Sequence, residues 1–189
     1  MKTIKNNNNI ETIVKNSKFI CYLYSVQTKD DINNALKHLK KEYSDSTHIC
    51  YAYRLENQEK AFDDGEPSGT AGAPILEVLK KNDLYNVLAV VIRYFGGTLL
   101  GAGGLIRAYS KSVREALTKT TLVDLIYYNF YRIESSYDDL KLLNKLTKDL
   151  DIIEKEYGET IVYKIKINKD IDNIEEIFKN TNIKVEIFV

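Results

Sequence analysis

The chain has 189 residues, 44% of them hydrophobic, enough for a sizeable core in one large domain or two small ones. Twenty-seven Lys and Arg balance twenty-seven Asp and Glu, so the formal net charge is zero, which argues against a protein that coats nucleic acid through bulk charge. No apolar run reaches the roughly 18 residues of a membrane span, no secretory apolar segment opens the chain, and Cys21 and Cys50 make no disulfide framework, so a cytoplasmic location without a membrane partner is expected.

Residues 1–9, with four consecutive asparagines, read as a flexible leader. Residues 10–26 read as two strands, ETIVK and KFICYLYSV, around a turn at Asn16–Ser17. Thr28 and Asp31 approximate a capping box for a helix whose apolar stripe is Ile32, Leu36, Leu39 and Tyr43. A strand is predicted over 48–55, a long polar loop over 56–74 and a short helix over 77–83. VLAVVI, within 86–94, is a continuous apolar run, the pattern of a strand buried on both faces. A helix from about Gly103 to Leu117 follows, with Leu105, Tyr109, Val113 and Ala116 facing the core.

Residues 121–189 read as a second domain. A strand over 126–133 precedes a helix carrying Leu140, Leu143, Leu146 and Leu150. Two strands then meet near Gly158, followed by a helix around Ile171, Ile174 and Ile177. The last strand places Ile183, Val185, Ile187 and Val189 on one face. That order, βαββαβ, is the ferredoxin-like split motif. The expected fold is therefore α+β in two domains, a β–α domain over 10–120 and a ferredoxin-like one over 121–189.

Eight of the nine glycines and both prolines fall between positions 65 and 104. Glycine serves where backbone must take positive φ or let another group come close, so the candidate site is sought here. In FGGTLLGAGGLIRAYSKSVR (95–114), a glycine-rich turn opens a helix, an arrangement that directs free N–H groups and the positive end of the helix dipole at an anion. Arg107, Lys111 and Arg114 share one face of that helix, and Arg93 ends the preceding strand. A phosphate or RNA site is therefore predicted from Arg93, Gly96, Gly97, Gly101, Gly103, Gly104, Arg107, Lys111 and Arg114. The bland alternative is close helix–strand packing beside a solvated basic face. Neither nucleotide motif is present: Ala102 and Gly103 stand where a P-loop needs Lys and then Ser or Thr, and Ile106 stands where the dinucleotide fingerprint needs glycine.

In FDDGEPSGTAGAP (62–74), Asp63, Asp64 and Glu66 read as an acidic loop of the same site. Their carboxylates either hold a hard cation or accept backbone N–H bonds around Gly65 and Gly69, and the second reading is preferred. No metal spacing is matched, so no metal or other cofactor is expected. His48 and Cys50 share a strand face, as a nucleophile–base pair, as half a metal site, or, preferably, as a hydrogen-bonded histidine beside a buried thiol.

DDGEPSGTAGAPIL (63–76) followed by VVIRYFGGTLLGAGGLIRAY (90–109) closely resembles the IMPACT/YigZ family, with SKFICYLYSV and THICYAYRL upstream matching the approach to those motifs. The resemblance is strong over about 17–118. It implies an N-terminal fold shared with a ribosomal small-subunit protein, domain IV of elongation factor G and the GHMP kinases, and a C-terminal domain like the last domain of elongation factor G. It also implies kinship with eukaryotic regulators of translation initiation, which act through an extra N-terminal module not found in these residues, so their partner does not carry over. No catalytic residues are implied. The leading expectation is a non-enzymatic, translation-associated protein that binds RNA, the ribosome or a translation-factor surface. The alternatives are a metal-assisted enzyme on a phosphorylated small molecule, with the acidic loop opposite the basic helix, and a pure protein-interaction module.

Overall fold

The computed structural model describes residues 1–168 and 173–188 and divides into two compact units, Met1–Leu125 and Ile126–Val189. The first is built on an antiparallel sheet of β2 (Asn8–Val14), β3 (Ser17–Ser25), β4 (His48–Arg54), β5 (Glu59–Phe62) and β6 (Val87–Tyr94), in spatial order β2-β3-β6-β4-β5. The central β6 is buried on both faces, as its unbroken apolar run predicts. Strand alternation sends Leu88, Val90 and Ile92 to one side, against α1 (Lys29–Glu42) and its Ile32, Leu36 and Leu39. Val87, Ala89 and Val91 face the other way, against α2 (Gly72–Lys81) and α3 (Gly101–Thr118). Each fully buried side chain of this kind is worth roughly 1.5–3 kcal/mol over exposure. The capping box at α1 is present: Thr28 accepts from the Asp31 N–H, and Asp31 accepts from the Thr28 N–H.

Three expectations are corrected in this unit. Residues 1–9 do not form a loose leader. Lys2–Ile4 make β1, antiparallel to β7 (Leu122–Asp124), and bury Ile4 to 1% exposure. The asparagine run suggested disorder by composition, yet Asn8 opens β2 and donates to the Ala116 carbonyl near the end of α3. Within the expected loop 56–74, the chain pairs β5 with β4, an edge hairpin that the polar EKAF string conceals. Finally, α2 begins at Gly72 rather than near Glu77, because Asp63 supplies the cap that Ala71 lacks.

The second unit has element order β8 (Tyr128–Ser135), α4 (Leu140–Leu146), β9 (Asp151–Tyr157), β10 (Ile161–Asn168), α5 (Ile174–Ile177) and β11 (Lys184–Ile187). Its antiparallel sheet has the order β11-β8-β10-β9, the βαββαβ pattern expected. Ile133, Leu143, Ile161, Tyr163, Ile165 and Ile174 form its core. Ile183 is buried, but Ile187 is 70% exposed, against the expected one-faced stripe. It lies on an edge strand that pairs with β8 alone. Ile171 and Val189 lie outside the described residues.

Candidate anion-binding site

Strand register builds the floor of the site. Arg93 on β6 stands directly between Phe19 on β3 and His48 on β4, on the α3 side of the sheet. Arg93 is 5% exposed, and its Cζ is 5.6 Å from the ring centroids of both Phe19 and Phe95. An Arg93 Nη donates to Glu66 at 2.6 Å, and the same carboxylate oxygen accepts the Tyr109 hydroxyl at 2.6 Å from α3. Among the described residues the buried Arg93 Nε has no hydrogen-bond partner.

The three acidic residues have separate tasks. Asp63 accepts from the N–H groups of Gly69, Ala71 and Gly72, which turns the loop and caps α2. Burial pushes its carboxyl up, but those three donors outweigh burial and leave it below the usual carboxylate value. Asp64, with φ of 47°, accepts from the Ile49 N–H at 2.7 Å. Only Glu66 turns inward. Among the described residues no group of three His, Cys, Asp or Glu side chains is placed to hold a metal ion.

His48 Nδ1 lies 2.8 Å from the Asp64 carbonyl, which only accepts, so Nδ1 carries a proton. Its Nε2 faces Glu66 at 3.9 Å. Cys50 is not paired with His48; its sulfur lies 2.9 Å from the Asp63 carbonyl and 3.4 Å from the Tyr109 hydroxyl. Burial, the largest influence, pushes this thiol up to about 12, so at neutral pH it is protonated and no nucleophile. Burial, with Cys50 and Glu66 nearby, also raises Tyr109, which stays a neutral donor.

Above this floor opens a cleft of about 430 Å³ whose lining includes His48, Glu66, Arg93, Phe95, Leu99 and the first residues of α3. Leu100, the N-cap residue of α3, makes no side-chain cap hydrogen bond and no acid occupies the first turn, so among the described residues the positive end of the helix dipole is left open to an anion. Phe95 is 46% exposed and Leu99 85% exposed at the mouth. Both escaped the sequence reading; the available signal was an apolar residue on either side of a glycine pair in a loop, where burial is not expected.

The predicted site residues do not form one cluster. Arg93 and Gly101 line this cleft, with Glu66. Arg107 and Lys111, with Gly104, line a smaller groove of about 260 Å³ between α3 and the β2–β3 hairpin, which Lys15 also enters. Leu100 borders both, so cleft and groove are neighbours across the first turn of α3. Arg114 lies exposed one turn further along. Gly96 and Gly97 shape the preceding loop, and Gly103 lies exposed in the first turn. The expectation that joined Arg93 to the basic stripe is therefore corrected: residue parity on β6 turns it inward, where Glu66 neutralises it. Lys15 was overlooked because its place at a hairpin tip beside α3 follows from tertiary packing.

Fold and site together define a two-unit α+β protein whose first unit carries a cleft at an uncapped helix N-terminus, floored by a buried Glu–Arg pair. Residues 15–117 match the Impact N-terminal domain family, and the chain belongs to the IMPACT family. It is 40% identical over 176 residues to the IMPACT family member YvyE of Bacillus subtilis (strain 168), covering 90% of this chain and 81% of that protein. To the IMPACT family member YigZ of Escherichia coli (strain K12) it is 32% identical over 161 residues, 82% of this chain and 79% of that one. A crystal structure of a hypothetical protein is similar over 100% of this chain and 97% of its own, with 26% identity and a TM-score of 0.70.

Proposed function

We propose that this protein acts in translation by binding RNA, on the ribosome or beside it, through the basic face and N-terminal turn of α3. The observation that carries the reading is the convergence of Lys15, Arg107 and Lys111 on one groove that adjoins an uncapped helix N-terminus. Among the described residues Lys15, Arg107 and Arg114 have no carboxylate partner, and Lys111 meets only Glu115 at 3.5 Å along its own helix. Unpaired cations beside open backbone N–H groups suit phosphate. Family membership adds weight, since the resemblance implies kinship with eukaryotic regulators of translation initiation and a first domain folded like a ribosomal small-subunit protein. A binding role suits a site whose thiol is held protonated.

Salt dependence tests the reading directly. Each phosphate contact to a single strand contributes a slope of about −0.7 to the log–log dependence of affinity on salt. Replacing Arg107 and Lys111 together by alanine is therefore expected to weaken binding of a short RNA and flatten the slope by about 1.4. In sucrose gradients of fresh lysate the unaltered chain should move with ribosomes and the double variant should stay at the top. Equal binding by both proteins, or an affinity indifferent to salt, removes the reading.

A further inference from the structure

The groove accounts for phosphate, but the adjoining cleft is of another kind. Phe95, Leu99, Leu100 and Leu105 give it an apolar wall, and that wall stops at the Arg93 guanidinium and the open N–H groups of α3. A ligand that fits both parts is flat and apolar on its faces, with acceptor atoms at its rim and a phosphate attached. We infer that the cleft takes one unstacked base of single-stranded RNA, laid against the Phe95 ring, while its phosphate meets the first turn of α3 and the chain continues past Leu100 into the Lys15–Arg107–Lys111 groove. This deepens the RNA reading above and rests on it.

Three observations support that occupant. Phe95 is held ready: its backbone N–H donates to the Thr47 hydroxyl at 2.9 Å, the Gly96 N–H donates to Ser17 at 3.1 Å, and the ring is left 46% exposed. An aromatic face kept at the surface by a fixed backbone is a stacking platform for a base of any sequence. Second, Arg93 is nine-tenths buried and borders the cleft, and among the described residues its Nε–H has no hydrogen-bond partner. Third, cleft and groove share Leu100, so a strand leaving the cleft meets cations at once. A duplex offers its bases to no such wall, because they are stacked and paired inside the helix.

The test compares three RNAs by fluorescence anisotropy with the full chain, a short oligouridylate, the same length with abasic sites and a duplex of equal length, and then repeats the oligouridylate with the Phe95→Ala variant. The single strand is expected to bind best, with abasic RNA and the Phe95→Ala variant each weaker by about tenfold, the order of one base–aromatic stack. The salt slope should be unchanged by Phe95→Ala and reduced by the Arg107/Lys111 double alanine. Phe95 is half-exposed, so its loss should leave the fold intact, and the abasic probe reports on stacking in the unaltered protein. Duplex bound as tightly as single strand, or abasic RNA bound as tightly as oligouridylate, overturns the inference while the phosphate reading stands. No binding to any of the RNAs overturns both.

Discussion

Glu66 and Asp63 lie three residues apart in one loop and act by different physics. Glu66 is desolvated beside Arg93, and an ion pair taken out of water gains little net stability unless further hydrogen bonds complete it. Tyr109 supplies one such bond, so the pair is best understood as fixing where the Arg93 guanidinium points within the cleft. Asp63 forms no ion pair; it closes the loop by accepting three backbone N–H bonds. Because those bonds hold its folded-state pKa below the unfolded value of about 3.9, the stabilisation is complete above that value and is lost as pH falls through the folded one. Asp63→Asn keeps one acceptor oxygen but loses the charge and the acceptor that meets Gly69, so it should lower stability against urea at pH 7 by about 1 kcal/mol, the order of one hydrogen bond. The difference from the unaltered protein should shrink as pH approaches 2. A gap that stays constant with pH would show that the charge on Asp63 contributes nothing.

At the scale of elements, the β2–β3 hairpin and the loop before α3 are locked together at one glycine. A Cβ on Gly96 would stand 2.0 Å from the Asn16 carbonyl carbon and 2.3 Å from the Ser17 nitrogen, both backbone atoms. The tip it presses is a two-residue turn, Lys15 and Asn16, with φ of 44° and 66°, which has little freedom to retreat. Gly96→Ala is expected to cost about 1–3 kcal/mol, the range of an overpacked site, and to weaken RNA binding as well, because Lys15 moves with the tip. Chemical denaturation and anisotropy on the same variant check both. The hairpin itself was legible from alternation, although its turn is Lys15–Asn16, one residue before the expected Asn16–Ser17, and β6, α1 and the core face of α3 were legible from apolar periodicity. β5 was hidden because an exposed edge strand of four residues has no apolar period to show, and the start of α2 because its capping side chain comes from nine residues upstream. The glycine-rich window coincides with the stretch that lines the cleft and groove, but only strand parity and packing could separate Arg93 from Arg107 and add Lys15 and Phe95.

For the whole molecule, the zero net charge conceals two unequal units. Residues 1–125 carry seventeen Lys and Arg against fourteen Asp and Glu, while residues 126–189 carry ten against thirteen. Every cation assigned to the groove lies in the first unit, so the second opposes an approaching polyanion. At an ionic strength of about 0.01 M the screening length is about 30 Å, comparable to the width of a small domain, and at about 0.15 M it falls to about 8 Å. The acidic unit should therefore hinder RNA binding at low salt and matter little near physiological salt. A fragment ending at Leu125 is the suitable probe, because it keeps β7, and with it the pairing that closes over Ile4, whereas one ending at Lys119 would uncover that side chain. The Met1–Leu125 fragment is expected to unfold cooperatively and to bind oligouridylate more tightly than the full chain at about 0.01 M, the two affinities converging by about 0.15 M as screening shortens. Tighter binding by the full chain at both salts would instead assign the second unit contacts of its own with RNA, and the affinity would then have to be divided between the units.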